Sequence, residues 1–404
     1  MSSRVNGATL APLWGKSFLF IMIANALLFM AFEMMLPTLP LFVAHLGGGA
    51  SQIGLVTGVF MFSAILIRPF TAALAARFDK KYLLMIGIAI CAGMTGAYYL
   101  ASGTTMILVF RVIHGIGFGL ATTYFATLVT ENIPKERRGE GMGYFGVGET
   151  VAVSVGPLIG IAVQVRYDFN GLFYGGMFLL LLALLMALFI SRKPQVQTTS
   201  EKVKSSVKLI EKKVLFPSLL IMLVGIAAGS IMSFIALYAG QKGLDTVAWF
   251  FFIVAFSSFA VRLVSGKMFD RFGPGYVLVP SAIFMGLGIW LLILSSSNTA
   301  FLISSAVYGF GFGAVFPAIQ TWCINLVDEH EHENAMASFF NFFDLGIGGG
   351  AMVLGLVASA YSYDLVYDIA IVVMIIFLLL YAVAAKKRKS QFSIRGGEVE
   401  QTKN

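Results

Sequence analysis

Polar residues are sparse along this chain and fall in clusters, and the clusters separate long apolar runs. Twelve such runs stand near 18–44, 51–75, 82–101, 104–131, 138–165, 170–191, 215–240, 245–268, 275–296, 299–325, 334–360 and 364–385. Each is close to the roughly 20 residues that carry a helix across a hydrocarbon layer. Backbone groups in lipid must be satisfied within the spanning structure, which leaves helices or a closed barrel. Barrel strands alternate apolar and polar positions; these runs are continuous, so they predict helices. The first run is too long for a signal peptide and has no small-residue cleavage site, so it is expected to be retained.

Composition supports a membrane reading. The chain has 404 residues, of which 58% are hydrophobic and only 12% charged, and its mean hydropathy is +0.86. Water-soluble domains carry about twice that fraction of charge. The net charge of +8 gains meaning from its placement. The stretches 192–213 and 386–389 are basic, as are the connections "RFDKK" and "KERR". The opposite connections "HLGGGAS", "ASGTT" and "SSSNT" contain no Lys or Arg. The positive-inside rule then predicts a multi-pass cell-membrane protein, of a bacterial plasma membrane, with both termini cytoplasmic. The basic charge implies anionic lipid as a partner and no nucleic acid. Cys91 and Cys323 both fall inside predicted helices and define no disulfide framework.

The chain also repeats itself. An offset of 194 residues carries "RPFTAALAARFD" at 68–79 onto "RLVSGKMFDRFG" at 262–273. The same offset carries Gly115, Gly117, Phe118 and Gly119 onto Gly309, Gly311, Phe312 and Gly313. The expectation is an all-α membrane protein of twelve transmembrane helices in two pseudo-symmetric six-helix bundles, 1–191 and 214–385. A cytoplasmic linker at 192–213 joins them, and a basic tail occupies 386–404. Six-helix halves of this kind, around a midplane site, are a transporter architecture.

Four further motifs lie in order on this frame. The loop after the eighth helix contains Gly266, Asp270, Arg271, Phe272 and Gly273; its first-half counterpart keeps Arg77 but has Ala72, Ala76 and Asp79 at the other positions. The fourth helix carries "RVIHGIGFG", the fifth carries "GETVAVSVGPLIG", and the first ends in "LPTLP". On these motifs the chain resembles the major facilitator superfamily over nearly its whole length. Within it, the similarity is to twelve-helix drug:proton antiporters and to opine-metallophore (staphylopine-type) exporters. The resemblance implies the major facilitator fold. It implies a cytoplasmic gate at Arg77, Gly266, Asp270 and Arg271, a proton-linked role for Arg111, and a helix-packing exporter motif at Gly148, Gly156, Pro157 and Gly160. The glycines also have a plain physical use, since a stripe without Cβ atoms lets helices approach closely, and Pro157 removes a backbone donor and permits a bend.

The candidate chemistry lies in charges inside the predicted spans. A charge at a helix centre costs about 2.5–3.5 kcal/mol on insertion scales, and such residues usually face a cavity and a partner. Glu33 interrupts "LLFMAFEMMLPTLPLF", and its repeat image is Ala227, so the repeat does not require an acid there. Glu33 lies about 11 residues, or roughly 16 Å, below the outer helix end, and Arg111 about 7 residues, or roughly 10 Å, below the same face. Arg111 is therefore its expected partner. His114 shares a helix face with Arg111. Glu149 and Asp344 are further buried acids, and Asp344 is the image of Thr150, so the two are expected at similar depths. These five residues, Glu33, Arg111, His114, Glu149 and Asp344, form the expected proton-coupling and substrate cavity. A structural ion pair is the alternative for Glu33 and Arg111. Asn25, Gln320, Asn325 and Asn341 either contact substrate or join helices, and Asp364 and Asp368 are expected to be solvated.

"DEHEHE" at 328–333 fits no standard zinc spacing and is expected to be a solvated loop without metal. The chain has no nucleotide-binding loop, nucleophile triad or metal cluster, so neither an enzyme nor an ATP-driven pump is expected, and no cofactor. The expected function is secondary active transport by alternating access, as proton-coupled export of a small organic molecule by a monomer. Proton-coupled uptake of a small solute, or a non-transporting sensor or lipid flippase, remain as alternatives.

Overall fold

The computed structural model describes residues 14–134, 138–191, 211–328 and 331–401. By internal contact the chain divides into two compact units, Met1–Lys208 and Leu209–Asn404. The first contains α1 (Lys16–Met35), α2 (Thr38–His45), α3 (Ala50–Ala75), α4 (Lys80–Ala97), α5 (Thr104–Asn132) and α6 (Arg138–Leu188). The second contains α7 (Leu215–Gln241), α8 (Val247–Phe272), α9 (Gly275–Leu294), α10 (Asn298–Asn325), α11 (His332–Ala360) and α12 (Tyr363–Gln401).

Among the described residues, eleven helical stretches are long and apolar enough to cross a membrane. One of them, Tyr144–Leu188, has 45 residues. At 1.5 Å per residue it exceeds twice the roughly 30 Å of a hydrocarbon core. It lies within α6, whose backbone leaves helical geometry at Tyr167 (φ −131°, ψ 15°) and Asp168 (φ 57°, ψ −172°). The break falls between the two runs expected at 138–165 and 170–191, so α6 supplies two spans. Many large apolar side chains are exposed, among them Leu66, Phe178, Phe256 and Leu263. A protein in water does not leave so much apolar surface uncovered, whereas lipid solvates it. The protein is a multi-pass membrane protein.

The first predicted run is not one helix. It stops at Met35 and resumes at Thr38, with Pro37 as the N-cap of α2. Pro37 has no N–H to donate to the carbonyl of Glu33, and its ring crowds that carbonyl. The Thr38 hydroxyl donates to the Met34 carbonyl at 2.7 Å and satisfies part of the break. The expected linker also ends differently from its sequence reading. Residues 192–210 lie outside the described residues, but the N–H of Glu211 donates to the Ser338 hydroxyl at 2.7 Å, and Glu211 is buried against the second unit. At the other end, α12 continues through the expected tail to Gln401.

The 194-residue repeat reappears as repeated packing inside each unit. A Cβ on Gly115 would lie 2.4 Å from the Phe60 carbonyl, and one on Gly309 would lie 2.6 Å from the Val254 carbonyl, the same offset on both sides of the contact. Gly119 meets the Ala64 carbonyl as Gly313 meets Ser258, and Gly117 meets Gly87 as Gly311 meets Ser281. These glycines let α5 pass close to α3 on one face and α4 on the other, and α10 does the same between α8 and α9.

The most extensive interface of the first unit joins α1 to α6. A Cβ would lie 2.9 Å from the Ala26 Cβ at Gly148, 2.5 Å from the Glu33 Cβ at Gly156, and 2.2 Å from the Met34 carbonyl oxygen at Gly160. Backbone cannot yield as a flexible side chain does. Gly160→Ala is therefore expected to force α6 away from α1 and to cost about 1–3 kcal/mol, the usual range for overpacking. Gly175→Ala on the same helix meets nothing within 4 Å and should stabilise by about 0.5–1 kcal/mol through helix propensity. Thermal melting of the two purified variants checks the contrast; equal midpoints would show that the α1–α6 approach is not tight.

Candidate functional site

The side chains singled out in the first unit converge on α1 and the faces of α3, α5 and α6 around it. Glu33 is 6% exposed. It sits two residues before the α1 terminus, at the break imposed by Pro37, with Gly156 of α6 against its Cβ. Among the described residues it has no ion pair and no hydrogen-bond partner.

The expected Glu33–Arg111 pair is not formed. Arg111 is 3% exposed, and its Nε donates to the Val56 carbonyl of α3 at 3.1 Å. Its guanidinium lies over the Phe60 ring, 4.0 Å from the centroid. Phe60 in turn stacks on Phe32 at 5.3 Å, and Phe32 on Phe118 at 4.6 Å. An aromatic cluster thus occupies the place where the carboxylate was expected. Depth along two helix axes had suggested the pair, but rotation about the axis turns Arg111 towards α3. A guanidinium suits this environment because it is planar, weakly hydrated and stacks on rings.

His114, also 3% exposed, lies one turn further along α5. Its Nδ1 shares a hydrogen bond with the Tyr98 hydroxyl at 3.0 Å, and its ring meets Phe60 edge-on at 5.2 Å. Tyr98, fully buried, is a member of the cluster that the sequence did not mark. It sits in the 3-10 turn Tyr98–Leu100 that ends α4, and nothing in its spacing from His114 signals a contact between different helices.

Glu149 is joined to Asn25: the Nδ2 of Asn25 donates to its Oε1 at 3.0 Å across the α1–α6 interface. Asn25 therefore connects helices, one of the two roles open to it from sequence. Asp344 is half-buried on α11 of the second unit. The structure thus gathers Glu33, Arg111, His114 and Glu149 into the first unit around α1 and α5, each with a different environment.

The residues expected to form a gate lie at or near helix ends. Arg77 is exposed in the turn after α3, and Asp79 caps α4 by accepting from the Lys81 N–H at 2.7 Å. The departure from the motif at Asp79 thus has a local use. Gly266, Asp270 and Arg271 are exposed on the last turns of α8, where the Arg271 guanidinium lies 5.1 Å from the Phe272 centroid. Gly273 ends α8 with φ +86°, a conformation that favours glycine. In the acidic "DEHEHE" stretch, Glu329 and His330 lie outside the described residues. Glu331 accepts from Lys213 Nζ at 2.6 Å, so this loop is pinned to the start of the second unit. Asp364 is not merely solvated: it accepts from the Tyr238 hydroxyl at 2.6 Å, with Lys242 Nζ 4.0 Å away.

Comparison with known proteins supports one family. The sequence profile of the Major Facilitator Superfamily matches residues 21–347 and 218–401. Multidrug resistance protein MdtG of Citrobacter koseri is 26% identical over 385 residues, covering 89% of this chain and 92% of its own length. Multi-drug resistance efflux pump PmrA of Streptococcus pneumoniae is 27% identical over 372 residues, covering 88% and 92%. Among solved structures, a bacterial homologue of the human lysosomal transporter Spinster, inward-facing and unoccupied, superposes with a TM-score of 0.76 at 17% identity, covering 92% of this chain and 96% of that one. The nucleoside transporter NupG gives 0.73 at 15% identity, covering 90% and 98%. With twelve helical spans, glycine-packed repeats and a profile match along most of its length, the chain belongs to the major facilitator superfamily of transporters.

Proposed function

We propose that this protein exports small organic molecules, drug-like compounds or metallophores, in exchange for protons. Glu33 carries the proposal. It is a carboxyl group buried beside a helix break, with no cation paired to it among the described residues. In transporters, discontinuous helices commonly build the substrate and ion site. A lone carboxylate of this kind has room for a proton or for a cationic group of the substrate, but not for both. Mutual exclusion at one acid is the simplest basis for antiport, and it favours exchange over the co-transport that uptake would require. The aromatic rings of Phe32, Phe60 and Phe118, buried and packed on one another, form an apolar wall where α1 meets α3 and α5. The likeness to the multidrug relatives points the same way.

One proton is energetically sufficient. For a neutral substrate, a charge crossing 100 mV provides about 2.3 kcal/mol, which supports a gradient of about 40-fold at about 1.4 kcal/mol per decade; exchange for a monovalent cation moves no net charge and draws on the pH gradient alone. In this reading Arg111 and His114 hold the aromatic wall and tune the field around it. Asp344 is the candidate coupling acid of the second unit. Arg77, Gly266, Asp270 and Arg271 gate the cytoplasmic side. In the same proposal the protein works as a monomer in the cell membrane, and the basic connections favour both termini in the cytoplasm. Residues 1–191 and 214–385 act as the two bundles, with the chain between them as the connection.

Transport in inverted membrane vesicles tests the function. Ethidium is expected to accumulate when a proton gradient is imposed and to be released by a protonophore. Accumulation only in right-side-out vesicles would instead establish uptake. Glu33→Gln should abolish gradient-driven accumulation while the protein stays folded, since the neutral isostere removes a costly charge; full pH-dependent transport by this variant would refute the coupling role.

The observed surroundings of Arg111 yield a separate prediction. Arg111→Ala loses one carbonyl hydrogen bond and a ring contact, so a cost of about 1–3 kcal/mol is expected. Breaking a buried ion pair would cost about 3–5 kcal/mol. In a double-mutant cycle with Glu33→Gln the two effects should add within about 0.5 kcal/mol. Coupling well above that in detergent melts would mean that the two residues pair after all.

A further inference from the structure

The contact between Asn25 and Glu149 has a property that helix packing alone does not explain. Asn25 is 1% exposed, and its Nδ2 donates to Glu149 Oε1 at 3.0 Å. Its Oδ1 is also buried, yet has no donor among the described residues. Buried side-chain oxygens of this kind are nearly always satisfied. An ionised carboxylate only accepts, so it has nothing to offer Oδ1; a neutral carboxylic acid carries one O–H. A carboxamide and a carboxylic acid are both planar and fit edge to edge. The amide N–H then donates to Oε1, and the acid O–H at Oε2 donates back to Oδ1, so that a proton on Oε2 supplies the donor that Asn25 lacks.

We propose that Asn25 and Glu149 form a second proton-binding site in the first unit, in which a proton taken up on Oε2 of Glu149 closes a ring of two hydrogen bonds with the Asn25 carboxamide. The close helix approach at Gly148, where a Cβ would lie 2.9 Å from the Ala26 Cβ, holds the two groups in register on adjoining residues. Competing charges are distant or engaged. On α1, Lys16 and Glu33 are nine and eight residues from Asn25, about 13 and 12 Å along the axis. On α6, Arg138 and Glu140 lie eleven and nine residues from Glu149, about 16 and 14 Å, while Arg166 and Asp168 lie at the far break. On α5, Arg111 and His114 are committed to Val56, Phe60 and Tyr98, and Glu131 pairs with Lys80 of α4. Lys81 of α4 donates to the Leu188 and Ile190 carbonyls, and His45 of α2 packs on Phe169. Among the described residues, Asn25 is the hydrogen-bond partner of Glu149. The site rests on the exporter reading only for the use made of the proton, not for its binding.

Infrared difference spectra between acidic and alkaline buffer, on purified protein in lipid nanodiscs, test the proposal. Every sample carries Glu33→Gln, which removes the buried acid of α1 from the signal. Acidification should raise a carboxylic-acid C=O band. The band should be lost in Glu149→Gln, which itself can close the same ring through its amide and so should remain folded. It should move to higher wavenumber in Asn25→Leu, or in Asn25→Ala where the leucine variant does not fold, because the hydrogen bonds to the acid are gone. A spectrum unchanged by Glu149→Gln would show that Glu149 does not take up a proton. A Glu149 band that does not move in either Asn25 variant would show that it does so without Asn25. Either result overturns the proposal. The transport test of Glu33→Gln alone judges the exporter reading, so failure of one proposal is distinguishable from failure of the other.

Discussion

The first unit depends on the close approach of α6 to α1. Helices in lipid gain little from hiding apolar surface from one another, because the lipid is equally apolar. They associate through van der Waals contact and interhelical hydrogen bonds, both of which reward short separation. Gly148, Gly156 and Gly160 provide that separation by presenting no side chain to Ala26, Glu33 and Met34. Burial of Glu33 and the hydrogen bond between Asn25 and Glu149 both follow from it. The same device, displaced by 194 residues, sets α5 against α3 and α4 in one unit and α10 against α8 and α9 in the other. A glycine pattern that is common in membrane helices becomes specific here because each of these glycines has a backbone atom or a Cβ in the space its own Cβ would need.

Given that scaffold, each buried polar group finds its own solution. Arg111 satisfies its charge with a carbonyl and a ring face, His114 with a tyrosine hydroxyl, and Glu149 with an amide. Among the described residues, Glu33 has none of these. Its neighbours are the Cβ-free face of Gly156 and the break at Pro37. Groups with fixed partners hold the helices in place, while an acid without a partner among the described residues is the one left for the proposed exchange. This contrast gives Glu33 and Arg111 different roles, although both are buried charges at comparable depth.

The aromatic cluster joins the two kinds of residue. Phe60 touches Arg111 on one side and Phe32 on the other, and Phe32 precedes Glu33 in the chain. A shift of α1 that moves Glu33 must therefore disturb the ring on which the guanidinium rests. The acid and the cation thus border one packed cluster, without a salt bridge.

Much of this was legible in the sequence. The number of spans, the internal repeat, the break between the two halves of α6 and the residues worth attention all came from hydropathy, offset and motif. These are properties of the chain read locally: a run of apolar residues must be a helix in lipid wherever it stands, and a proline withdraws its own N–H whatever surrounds it. Pro37 marked the end of α1 in this way, though not the short helix that resumes after it. What the sequence could not supply was the rotation of each helix about its axis. Depth matched Glu33 to Arg111, but the azimuth of α5 directs Arg111 to Val56 and Phe60, and the azimuth of α1 directs Asn25 to Glu149. Tyr98 joined His114 from another helix with no local signal at all. Rotation is set by how the side chains of neighbouring helices interlock, which is a property of residues distant in sequence, so only the tertiary structure decided which buried charge has a partner and which stands alone.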